Sequence, residues 1–191
     1  DGKEVTIDVS DEIVKGIKTQ PAIKKIRDAG ASELPGNAED LTRHMAAENA
    51  KWKKVIDAVH QAGGKMGPQL WHQGMARKPN SGHFPDAPSD SPSGVTLKGK
   101  KVGEEPSEAE VLDMAQAYAD AARAAKQLGF DCIELHGAHA YLIDEFFWER
   151  TNRRGDRFGG SLEQRAEFAA EVIRRCRAAV GLWSRLLLRA A

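Results

Sequence analysis

The sequence predicts an α/β protein with a parallel β-sheet, and three features of the chain carry that expectation. From about residue 45 onward, stretches with helical apolar spacing alternate with short apolar runs, in the order helix, strand, helix, strand, helix, strand. Two Ser-x-x-Glu/Gln capping boxes, Ser107–Glu110 and Ser161–Gln164, stand at the head of two of the helical stretches. Glycines at 63–64, 129 and 181 close the three helices, since glycine tolerates left-handed C-cap geometry. Strands that alternate with helices pair in parallel, because a helical crossover returns the chain to the same end of the sheet.

Residues 1–40 read differently. Val5, Ile7 and Val9 alternate with Glu4, Thr6 and Asp8, the pattern of a half-exposed strand. Ile13, Val14, Ile17, Ile23 and Ile26 make a weak helical pattern that Pro21 breaks. Over 46–62 a helix is expected, with Trp52, Val55, Ile56 and Val59 at i, i+3, i+4 and i+7 in one apolar stripe. Residues 66–72 read as a short strand, in which Pro68 has no amide to give to a ladder. The segment 73–106, rich in Pro, Gly and Ser, is long for a compact domain; such connections are functional loops, lids or disordered excursions.

The helix opened by Ser107 carries Val111, Met114, Ala115, Tyr118, Ala122 and Ala125 on one stripe. DCIELH at 131–136 reads as the next strand. The helix opened by Ser161 turns Leu162, Ala169, Val172, Ile173, Cys176 and Val180 inward and Glu163, Glu171, Arg174 and Arg175 outward. Leu186-Leu187-Leu188 begins a third buried strand.

Composition narrows the class without naming a chemistry. A length of 191 residues supports one domain of ordinary size with a small appendage. Lys plus Arg and Asp plus Glu both number 28, so the chain lacks the basic footprint of a nucleic-acid binder. Hydrophobic residues are 41% and charged residues 29%, which argues against wholesale disorder. No run approaches the roughly 18 consecutive apolar residues of a membrane span, and DGKEVTIDVS has no signal-peptide pattern. Cys132 and Cys176 lie far apart and form no CxxC motif, so a reducing, cytoplasmic setting is expected.

The chemistry is concentrated in HGAHAYLIDEFFWERTNRRGDRFGGS, residues 136–161. It begins where a strand ends, and βα folds collect ligand groups at that end of their strands. On residue types alone, three readings of His136, His139 and Tyr141 stand open. The two imidazoles plus Asp144 could bind a metal ion. They could be polar loop residues with no further role. Or they could be paired donors to a substrate oxygen, with Tyr141 supplying a proton. Strand parity adds that Gln69 and Trp71 share a face, as do Glu134 and His136. An inward Glu134 needs a partner, and Arg189 on the next strand is a candidate.

At this point the residues resemble a known family. QLWHQG at 69–74, LGFDCIELHGAHAYLIDEFFWERTNRRGDRFGGSLEQR at 128–165 and the helix that follows look like the old yellow enzyme family of NADH:flavin oxidoreductases. The likeness runs over about residues 45–189. It implies a (β/α)8 TIM-barrel fold, here represented by about three central βα units. It divides the chain into an unassigned segment, 1–44, and a partial FMN-binding barrel domain, 45–191.

The resemblance also implies roles. Gln69 and Arg189 would contact the flavin, His136 and His139 would bind the oxygen of an α,β-unsaturated carbonyl compound, Trp71 would line the pocket, and Tyr141 would donate the proton. FMN would be the cofactor and NAD(P)H the co-substrate. The partner would be a small enone-type molecule, with no nucleic acid or membrane involved and a homo-oligomer left open. The Asn152–Gly160 loop would be mainly structural. The alternative expectation is a truncated, catalytically inactive barrel fragment that acts at most as an interaction module. One departure from the family bears on geometry. Ala140 stands where the family usually has glycine, so a need for positive φ there would strain the loop.

Overall fold

The computed structural model describes residues 38–77, 89–181 and 185–190. The strand expected at 5–9 and the helical pattern at 13–26 lie outside the described residues. The chain divides into two compact units, 1–52 and 53–191. In the first, the described part is the opening of helix α1 (Ala38–Gln61), where Lys51 pairs with Glu48 one turn back.

In the second unit α1 runs on to Gln61 and places Ile56 wholly inside. The predicted stripe is covered only in part: Val59 is half-buried, whereas Trp52 and Val55 are exposed. A 3.6-residue period shows which face of a helix can be buried, not what lies over it.

Strand β1 is short, Gln69–Leu70, because Pro68 interrupts the ladder. The Pro68 carbonyl still accepts the Glu134 amide at 3.0 Å, and that of Met66 accepts the Asp131 amide at 2.8 Å. Helix α2 (Glu108–Leu128) follows with both halves of the Ser107/Glu110 capping box formed, and it ends at Gly129 with φ 98°. Strand β2 spans Cys132–Gly137. After α3 (Leu142–Phe147) come α4 (Leu162–Arg165), α5 (Glu167–Val180) and β3 (Arg185–Ala190). The three strands form one parallel sheet in the order β1-β2-β3. Gln69 pairs with Glu134, and His136 with Arg189. The α/β expectation therefore holds in element order and in strand direction.

Parity sorts the β2 side chains. Ile133 and Leu135 are fully buried and join the core built by α2 and α5, with Val111, Ala115, Ala122, Val172 and Cys176. The alanines on α2 let the two helices approach closely. Glu134 and His136 point the other way. The Ser161 helix departs from expectation. It is two helices that meet at Ala166, and Leu162, expected inside, is 59% exposed on the first turn. The side chain that this first turn buries is Arg165, which donates to the carbonyls of Phe147, at 2.7 Å, and Gly160. The apolar residue that enters instead is Phe168, stacked on Phe146 with centroids 4.0 Å apart.

Within the long connection, the described stretch 89–106 is anchored rather than free. Val95 bridges Lys101, Ser93 Oγ accepts the Arg153 amide at 2.8 Å, and Lys101 Nζ donates to the Ser93 carbonyl at 2.9 Å. Residues 78–88, including His83, lie outside the described residues.

Candidate functional site

The site forms where β1 and β2 end. β2 delivers His136, which is 6% exposed, and the chain then reverses through His139 and Ala140 at φ 60° and 59°. Two consecutive left-handed residues without glycine are costly. The turn is held by the Ala140 amide, which donates to Asp144 Oδ2 at 2.7 Å. The reversal brings His139 back beside His136, with Nδ1 and Nε2 3.3 Å apart. Tyr141 follows as the N-cap residue of α3 and lies half-buried.

Four rings meet there. The Tyr141 ring centroid lies 5.1 Å from His136 and 4.7 Å from Trp71, and His136 lies 5.1 Å from His139. Trp71 is 47% exposed and forms the outer wall. Next to these rings on the sheet, Gln69 Nε2 donates to Glu134 Oε1 at 2.6 Å. The Glu134–Arg189 pairing expected from the sequence rests on a side chain outside the described ones; Glu134 does accept from Gln69, its register neighbour on β1. The Arg189 backbone stands opposite His136 in the sheet, and its side chain lies outside what the structure describes. Of the residues singled out from the sequence, His136, His139, Tyr141 and Trp71 thus converge, and Gln69 lies beside them.

Ala140 tests the cost of the turn. Its left-handed conformation costs alanine about 1–2 kcal/mol, of which glycine returns about 0.4–1 kcal/mol through its looser unfolded chain. Ala140→Gly is therefore expected to raise stability by about 0.5–1 kcal/mol. A urea midpoint that falls at unchanged slope would contradict the strain.

Electrostatics sets Tyr118 apart from the chemistry. Burial pushes the Tyr118 phenol well above its ordinary range and withdraws it from proton transfer at neutral pH. Burial likewise raises the Cys176 thiol to about 11, so this cysteine is a core residue. Asp144, the third ligand of the metal reading, already accepts the Ala140 amide. Among the described residues no three His, Cys, Asp or Glu side chains are placed to hold a metal ion. His72 is occupied on both nitrogens, by the Gly74 amide at 3.1 Å and Asp90 at 3.2 Å.

Glu145 carried no signal in the sequence. It lies one residue past Asp144 on a helix whose first five residues are all buried, and it is fully enclosed. Its surroundings come from the turn Gly74–Ala76, some seventy residues earlier in the chain.

A parallel βα sheet that gathers two imidazoles, a phenol and an indole at the C-terminal ends of adjacent strands defines the mouth of a β/α barrel. Comparison with known proteins agrees: residues 32–191 match the model of the NADH:flavin oxidoreductase / NADH oxidase family. The chain belongs to that family. It is 39% identical over 137 residues to flavin oxidoreductase hxnT of Emericella nidulans, covering 68% of this chain and 35% of that protein. It is 43% identical to an NADH oxidase of Thermoanaerobacter brockii, over 67% of this chain and 20% of that one.

Among solved structures, Old Yellow Enzyme from Pichia sp. AKU4542 superposes with a TM-score of 0.66 at 31% identity, covering 74% of this chain and 39% of that one. A morphinone reductase in complex with tetrahydroNAD gives 0.65 at 31% identity, with 75% and 44% covered. The fold is therefore part of an old yellow enzyme-like barrel, and the chain spans about a third of the length of several curated relatives. No described helix is long and apolar enough to cross a membrane.

Proposed function

We propose that this chain belongs to an FMN-dependent oxidoreductase that uses NAD(P)H to reduce the C=C bond of an α,β-unsaturated carbonyl compound. The observation that carries the reading is the convergence of His136, His139, Tyr141 and Trp71 beside Gln69. The donor set suits a planar heterocycle and a carbonyl. Gln69 gives one amide hydrogen to Glu134, which leaves its oxygen and second hydrogen for a ring edge. By resemblance, Arg189 is the second flavin contact. FMN, when bound, supplies the hydride chemistry that no side chain can.

The imidazole pair bears on the substrate oxygen. His136 Nδ1 is buried without a hydrogen-bond partner. An unpartnered N–H is the costlier orphan, so hydrogen-bond accounting puts the His136 proton on Nε2. That proton then points at His139 Nδ1, and His139 carries its own on Nε2. A carbonyl oxygen seated between the rings can accept from both Nε2–H groups, at the expense only of the long bond between them. Negative charge that builds on this oxygen is stabilised by donors already in place. One such donor is worth about 3 kcal/mol in a dry site. Tyr141, against both His136 and Trp71, holds the proton for the α-carbon.

The test is the visible spectrum of the folded chain after addition of excess FMN and desalting. A retained, protein-perturbed flavin spectrum is expected, followed by NAD(P)H-dependent loss of enone absorbance. A chain that is folded by circular dichroism but keeps no flavin would overturn the reading and favour the alternative of a barrel piece that serves as an interaction module. Cytoplasmic location, the division at residues 44 and 45, and self-association remain part of this proposal, with size-exclusion chromatography as the check on the last.

A further inference from the structure

Glu145 is fully buried, yet the mechanism above does not use it. Its carboxyl lies under the turn that follows β1. Oε1 accepts the Met75 amide at 2.7 Å, and Oε2 has no hydrogen-bond partner. Gly74 leaves it room: φ is 55°, and a Cβ built there would come within 2.6 Å of Oε2. A second strut joins the same two segments, as the Leu142 amide donates to the His72 carbonyl at 3.0 Å. Trp71 stands three residues before Gly74 and Tyr141 immediately precedes α3, and their rings lie 4.7 Å apart.

We propose that Glu145 is a positioning residue: its enclosed carboxyl clasps the Gly74–Met75 turn and so holds Trp71 against Tyr141. The inference rests on the ene-reductase reading for its chemical meaning, because Trp71 is the wall of that substrate site. Physically, an enclosed carboxyl with one unpartnered oxygen favours its neutral form. Burial pushes Glu145 up to about 8; the Met75 amide opposes this and the Asp144 charge adds to it. Asp144 is the ionisable neighbour on its own helix, and His72 and Arg77 are those on the side of the turn. The folded state therefore holds this proton more tightly than the unfolded chain does. The resulting stability is complete below the ordinary carboxyl range and is lost as the pH rises to about 8.

The chain has four methionines and four tryptophans, so selective 15N labelling of both gives a simple spectrum. Met75→Leu and Trp71→Phe identify the two signals. In the wild-type chain the Met75 amide and the Trp71 indole are expected to shift together with a midpoint near pH 8. Met66, whose amide donates to Asp131 at 2.9 Å, should respond only in acid and serves as the internal control. In Glu145→Gln, which keeps an acceptor for Met75, both signals should stay at their low-pH positions throughout. In Glu145→Ala both should be displaced at every pH; if that variant fails to fold, the glutamine variant alone decides. A Met75 signal indifferent to pH from 6 to 9.5, or a Trp71 signal that does not follow Met75, overturns the proposal.

This arm needs neither flavin nor substrate, so its failure is distinct from failure of the functional reading. With FMN bound and 2-cyclohexenone as probe, KM should rise several-fold above pH 8 in the wild type, more than kcat falls, and not in Glu145→Gln. Flavin loss with the Met75 and Trp71 behaviour intact would sink the ene-reductase reading and leave the clasp in place.

Discussion

Tyr141→Phe is expected to lower the rate of enone reduction by the FMN-loaded chain by about 10²–10⁴-fold, the usual contribution of a positioned acid. Flavin retention should be unchanged, since the phenol stands against Trp71 and His136 rather than at Gln69. The imidazoles should behave differently. Either His136→Ala or His139→Ala removes one donor to the substrate oxygen, at a cost of about 10²–10³-fold. The double variant should lose less than the product of the two. The rings bond to each other at 3.3 Å, so removing one already disturbs the other's aim. Single-turnover measurement of enone reduction separates this step from flavin binding. A Tyr141→Phe variant with wild-type turnover would assign the proton to solvent and reduce the phenol to a wall of the pocket.

The parts of this site that were legible in the sequence are those fixed by local chemistry. Capping boxes at Ser107 and Ser161 and a glycine at 129 bound their elements because the relevant hydrogen bonds close within four residues. Strand parity put Gln69 on one face with Trp71 and Glu134 on one face with His136, since a pleat alternates whatever surrounds it. The positive φ at Ala140 was legible as a conditional, from the glycine that the family usually carries there.

What was not legible depends on segments far apart in the chain. Nothing near residue 145 says that a glutamate there meets a turn at 74–76. Helical periodicity also overreached at Leu162, because the side chain buried on that first turn is Arg165, whose donors reach back to the carbonyls of Gly160 and Phe147.

Arg154→Ala should be the most damaging substitution to the fold itself, at about 3–5 kcal/mol, the cost of breaking one side of a buried ion pair. The Arg154 side chain is 2% exposed. Its Nε donates to both Asp156 oxygens, at 3.0 and 3.1 Å, and its Nη2 meets the same carboxylate. Its Nη1 donates to the Pro92 carbonyl at 2.9 Å and the Pro106 carbonyl at 2.6 Å. These last two bonds hold both ends of the 92–106 excursion to the loop after α3, and proline carbonyls at those points have no local helix or strand partner to turn to.

Removal of the guanidinium therefore leaves two carbonyls without their donor and the Asp156 carboxylate with only the Phe158 amide and its partial exposure to water. Arg154→Lys keeps the charge but cannot serve three directions with one ammonium, so it should recover about half of the loss or less. Urea unfolding gives both values from the shift in midpoint, provided the slope stays constant. A changed slope in Arg154→Ala would instead mean that the excursion has come away from an otherwise folded barrel segment. The Asn152–Gly160 loop would then be a clamp on the 89–106 segment alone. If Arg154→Ala left both midpoint and slope unchanged, the buried fork would have no part in holding the fold.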